Sequence, residues 1–191
     1  MKRQLFGTLI LLFLGHGVFA QTTDRTVEKI GEHYNDVAEK ARLCEMDEDR
    51  GEFGDLFMNE FVINKRSHQW RAVGTYNLRY KFFYKGGDTE EHMYPDQLVM
   101  VKVERKISNR AYTEEFLYSD AGVLMFYYQK AENDDQTPSV RRVYFSGLKA
   151  VRVVEDAKTR DRLNIKDAAT VKEIAAQNVK IKEIFVRSIK L

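Results

Sequence analysis

With a single cysteine, Cys44, the chain has no partner for an internal disulfide. Two prolines and eleven glycines leave no proline- or glycine-rich linker, and no repeat array or low-complexity stretch divides the chain. No apolar run reaches the roughly 20 residues that a membrane-spanning helix needs. Catalytic signatures are missing as well. There is no Gly-x-Ser-x-Gly elbow, no glycine-rich phosphate loop opening a helix, and no cysteine–histidine metal spacing. Gly86-Gly87 follows a strand pattern and does not open a helix. These absences give no cofactor and no metal to expect, and they lean away from an enzyme.

What is present begins with a targeting pattern. Lys2 and Arg3 precede the mostly apolar stretch 5–14, and Val18-Phe19-Ala20 offers a small residue at a cleavage point. This order predicts a signal peptide over residues 1–20 and an exported domain over 21–191. Both basic residues of the leader are lost on cleavage, leaving 29 basic against 29 acidic residues in the mature chain. A neutral, mixed surface carries no stripe for nucleic acid or anionic lipid.

The mature chain reads as α+β: an N-terminal helix, about six antiparallel strands in a meander, and a C-terminal helix. Apolar positions Val27, Ile30, Tyr34, Val37, Ala38, Ala41 and Cys44 form a helical stripe, with Thr23 or Asp24 as cap. Gly31 inside that stripe suggests close packing. Cys44 on the same stripe reads as a small buried hydrophobe. Residues 56–64 read as the first strand. Trp70 to Tyr84 follows as one long strand, with Tyr76, Leu78, Tyr80, Phe82 and Tyr84 on one face. A hairpin turns at Gly122, and a second one, with a related aromatic-Ser-Gly-Leu pattern, turns at Gly147. The acidic stretch 131–138 reads as a loop, and 155–164 as irregular. Thr170-x-x-Glu173 has the form of a capping box for the last helix, which starts at Asp167 or Thr170.

Each candidate site has a plainer reading beside it. Asp47-x-Asp49-x-Gly51 lacks the later ligands of a calcium loop and reads as a helix-to-strand connection. Glu90-Glu91-His92 with Asp96 fits no metal spacing and reads as a polar loop. Glu114 and Glu115, adjacent on a strand, must face opposite ways and cannot share a substrate. The aromatics are the remaining lead. Ten tyrosines fall largely on strands, and a phenol ring combines a flat apolar face with a polar tip. Trp70, Tyr80, Tyr112, Tyr127 and Tyr128 are the candidate ligand contacts.

From Tyr112-Thr113-Glu114-Glu115-Phe116-Leu117-Tyr118-Ser119-Asp120-Ala121-Gly122-Val123-Leu124-Met125-Phe126-Tyr127, with the following Arg142-Val143-Tyr144-Phe145, the chain resembles a group of small exported proteins of Bacteroidetes-type bacteria. The resemblance covers residues 21–155 and implies a periplasmic or surface location. It transfers no functional residues. The leading expectation is a non-catalytic binding module for a protein, peptide or glycan. One rival is a small pocket protein with a convergent acid or base such as Glu114 or His92. The other is a structural envelope protein.

Overall fold

The computed structural model describes residues 15–46, 56–87, 90, 93–133 and 136–189, with side chains from residue 22 except those of Asn133 and Gln136. Helix α1 (Gly15–Glu45) is followed by nine strands: β1 (Phe57–Ile63), β2 (Gln69–Trp70), β3 (Gly74–Lys85), β4 (Gln97–Ile107), β5 (Arg110–Tyr118), β6 (Leu124–Asn133), β7 (Gln136–Ser146), β8 (Lys149–Glu155) and β9 (Lys158–Arg160). Helix α2 (Ile165–Ile189) closes the chain. Strands pair antiparallel in the order β1-β3-β4-β5-β6-β7-β8-β9, and β2 adds a short pairing to β3. The helix–meander–helix order matches expectation, whereas nine strands replace about six.

The extra strands have physical causes. Trp70 to Tyr84 is not one strand, because a turn at Arg71–Val73 and the positive φ of Gly74 (79°) split it into β2 and β3. The acidic stretch after Ala131 is mostly strand, with Pro138 tolerated at an exposed position of β7. Lys158–Arg160, in a segment too charged to show a strand pattern, pairs with β8 as β9.

Alternation gives each sheet face its own helix, so the domain has three layers. Phe82, Val101, Phe116, Tyr127, Val143 and Val153 point to one face and pack with Ile174, Ile181 and Phe185 of α2. Phe83, Met100, Leu117 and Phe126 point to the other and pack with Ile30, Val37 and Ala41 of α1. The pairing slips at Phe83/Tyr84, Leu117/Tyr118 and Tyr144/Phe145 leave Val99, Met125 and Val151 unopposed. Each is a bulge beside a hairpin at the same end of the sheet. The bulges place Val99-Met100 and Met125-Phe126 as successive side chains on the α1 face. The aromatic-Ser-Gly-Leu pattern shared by the Gly122 and Gly147 hairpins therefore corresponds to two hairpins with matching bulges.

Helix α2, capped by Asn164, starts at Ile165, earlier than the Asp167 or Thr170 start that the sequence suggests. The Asn164 side chain accepts from the Asp167 N–H at 2.9 Å, and the Asp167 carboxylate accepts from the Asn164 N–H at 3.1 Å. Arg160 then clamps both Asp167 oxygens at 2.9 and 2.7 Å, which favours this start over the later one. Helix α1 runs unbroken through Thr23 and Asp24, so neither caps it, and the expected cleavage point after Ala20 lies inside it. Ion pairs tie α1 down: Glu45 bridges Lys81 (2.9 Å) and Lys102 (2.8 Å), and Asp24 meets Arg152 at 2.7 Å. Gly31 is not a close-packing site, since a Cβ built there meets nothing within 4 Å. Among the described residues, no helix is long and apolar enough to cross a membrane.

Candidate functional site

The five aromatic residues singled out in the sequence do not form one site. Tyr127 is 3% exposed under α2, and its hydroxyl donates to Glu114 at 2.6 Å. Burial first, then the Glu114 carboxylate, pushes that phenol far up, and its role is structural. Glu114, itself 3% exposed, also accepts from Gln177 of α2 at 3.1 Å, and Arg105 lies 3.8 Å away. The carboxylate is thus consumed in joining α2 to the sheet, and it faces none of the three cavities described below. His92, the other group of the pocket reading, lies outside the described residues, as does the calcium-like stretch from Asp47 to Gly51. Among the described residues no cluster of three metal-ligating side chains occurs.

Trp70, Tyr80 and Tyr112 share the α2 side of the sheet. Trp70 lies on Tyr76 with ring centroids 4.5 Å apart. Tyr80 sits beside Phe61 at 6.3 Å, and burial raises its phenol pKa. Arg105 covers the Tyr112 ring at 4.7 Å. The register explains the grouping: Phe61, Tyr80, Val103 and Glu114 form one cross-strand row, and Leu78, Arg105 and Tyr112 form the next.

Among the described residues, this aromatic group ends at a strand edge with no further strand paired to it. β1 has seven residues, and Phe57 (46%), Met58 (37%) and Phe61 (45%) stand exposed along it. Trp70, 45% exposed, follows on β2. Glu60, the only charge on β1, is drawn towards Arg79 of β3 at 3.2 Å. The opposite edge differs. β9 has three residues, and Arg160 holds it to both Glu155 and Asp167. One edge is thus short and charged, as natural edge strands are, and the other is long and aromatic.

Tyr128 lies on the opposite face, in a cleft of about 410 Å³ between α1 and the sheet. Gly31, Tyr34 and Asn35 form the helix wall, and Phe126, Tyr128, Arg142 and Tyr144 the sheet wall. The Tyr34 ring meets Phe126 edge-on at 5.0 Å, and its hydroxyl donates to Glu115 at 2.5 Å. Burial, then Glu115, pushes the Tyr34 phenol well up. Sequence reasoning missed Tyr34, Phe126, Arg142 and Tyr144 as a group. A usable signal was Arg141-Arg142 inside a strand, since adjacent arginines must face opposite sides. Arg141 pairs with Glu155 on the α2 face, and Arg142 turns into the cleft.

Two further hollows, of about 580 and 280 Å³, flank Gly122 and Lys182 where α2 passes the hairpin turns. Lys182 donates to the Gly122 carbonyl and lies over the Tyr118 ring at 5.3 Å, and burial lowers its pKa. With its ammonium committed to the turn, this lysine acts as a fastener. No family model, no curated protein and no solved structure matches this chain.

Proposed function

We propose that the chain is an exported, non-catalytic interaction module that captures an extended peptide segment of a partner protein along β1 and β2. The observation that carries this reading is the aromatic edge. A strand edge offers a row of backbone donors and acceptors, and strand addition uses them for affinity and alternate side chains for specificity. Phe57, Phe61 and Trp70 supply apolar contacts on the α2 side, backed by Tyr84, Tyr80 and Tyr76. Export rests on the leader-like N-terminus and on the resemblance to exported proteins.

The test is an array of short peptides with alternating aromatic and polar residues, followed in solution by the fluorescence of Trp70, the only tryptophan. Binding should shift that emission. Phe61→Lys, which adds an edge charge, should weaken binding about tenfold or more. N-methylation of alternate peptide amides should do the same. Equal binding of the N-methylated peptides overturns strand addition. Concentration-dependent self-association abolished by Phe61→Lys would instead assign the edge to a second copy of the chain.

A further inference from the structure

We infer that the cleft between α1 and the sheet is a second binding site, for a small flat-ringed ligand that carries a carboxylate. It lies on the sheet face opposite the aromatic edge described above and does not depend on that reading. Four rings, those of Tyr34, Phe126, Tyr128 and Tyr144, line about 410 Å³. That volume falls within the range of small-molecule sites, which combine mostly apolar walls with a few placed polar groups.

Arg142 is the placed group. Five other arginines of the sheet have carboxylates within reach, whereas Arg110, at the start of β5, is exposed to solvent. Arg79 lies near Glu60 and Glu104, and Arg105 near Glu114. Arg141 pairs with Glu155, Arg152 with Asp24 and Asp161, and Arg160 with Glu155 and Asp167. Among the described residues Arg142 has no carboxylate within ion-pair reach and instead lies over the Tyr128 ring at 5.7 Å. A half-buried guanidinium beside aromatic walls selects an anion, and its planar fork matches a carboxylate with two parallel hydrogen bonds. Glu115, in the same cross-strand row as Tyr128 and Arg142, already accepts the Tyr34 hydroxyl at 2.5 Å and does not line the cleft. Asn35 adds an amide for a second polar contact.

Gly31 explains how the space stays open. It sits in the third turn of the described side chains of α1, where a glycine weakens the helix relative to alanine. No neighbour demands its lack of a side chain, because a Cβ there meets nothing within 4 Å. It borders the cleft, so any larger residue at this position fills the space a ligand ring would take.

The experiment titrates N-acetyl-phenylalanine and benzoate, each against its neutral primary amide, into the purified protein, read by saturation-transfer NMR and calorimetry. The carboxylates should bind saturably, and the amides should bind about tenfold more weakly or worse. Arg142→Gln should remove that preference, Arg142→Lys should restore part of it, and Gly31→Leu should block both carboxylates. Preference for N-acetyl-phenylalanine over benzoate assigns the ligand to a peptide C-terminus, and the reverse to a free aromatic acid. Thermal melts confirm that each variant is folded. Equal binding of amide and carboxylate, no saturable binding of either acid, or full binding by folded Arg142→Gln and Gly31→Leu each overturns the site. Phe61→Lys should leave these titrations unchanged, which separates failure of the cleft from failure of the edge.

Discussion

Glu155 shows how one side chain ties sheet to helix through charge. Arg141 donates to it at 2.6 Å, Arg160 lies at 3.2 Å and Lys166 at 3.4 Å. The Arg141 hydrogen bond, outweighing the cost of burial, holds the carboxyl down to about 2 from an ordinary 4.5. A depressed folded-state pKa means that this stabilisation is complete above the unfolded value and is lost as pH falls through about 2. Asp167, held low first by its bond from Arg160, behaves in the same direction. Stability should therefore fall between about pH 5 and pH 2. Replacing Arg141 with alanine should remove up to about 1 kcal/mol of that fall, since both side chains of the pair are about one-quarter exposed and screened by solvent. Urea unfolding of both proteins at neutral and acid pH measures it, and an identical loss in the variant would remove Glu155 from the account.

At the scale of elements, the N-terminus of α2 rests on the reciprocal pair of Asn164 and Asp167. Asn164→Ala should cost about 1 kcal/mol and lower the melting temperature by a few degrees. Thr170→Ala should cost far less, because that residue lies inside the helix, and a scanning calorimeter separates the two. The Thr170 pattern is the one legible in sequence, and the clamp from Arg160 on Asp167 favours the Asn164 cap over it. The same division holds elsewhere. The period-two aromatics of β3 and the glycine turns at Gly122 and Gly147 were legible, because alternation and positive φ are local properties. The short strand β9 was not, since it depends on pairing with β8 rather than on pattern, and the break at Gly74 was missed although its positive φ is a local signal of the same kind. Parity put Tyr76, Leu78, Tyr80, Phe82 and Tyr84 on one face of β3, the face that packs towards α2. It could not show that α2 lies over Tyr127, or that Tyr34, Tyr128 and Arg142, far apart in the chain, border one cleft.

For the whole molecule, the two helices hold the sheet unequally. α2 buries Ile174, Ile181 and Phe185, sets Phe185 against Phe82 and Tyr84, and reaches the sheet through Gln177 to Glu114 and Asn178 to Tyr118. α1 buries the smaller set Ile30, Val37 and Ala41, reaches the sheet through Tyr34 to Glu115, and fastens its ends by ion pairs whose partners are partly exposed. Surface pairs of that kind contribute roughly 0–1 kcal/mol each. Local opening follows the least buried contacts, so α1 should lift from the sheet below the free energy of global unfolding, with the strands and α2 still in place. Native-state hydrogen exchange should show the amides of α1 exchanging before those of β4, β5 and β6, whose core residues are almost fully buried. A carboxylate bound between Tyr34 and Arg142 joins helix to sheet, so saturating it should slow exchange in α1 and leave α2 unchanged. Equal protection of α1 and α2 in the free protein would contradict the unequal layers, and equal slowing of both helices by ligand would place its binding elsewhere than the α1 cleft.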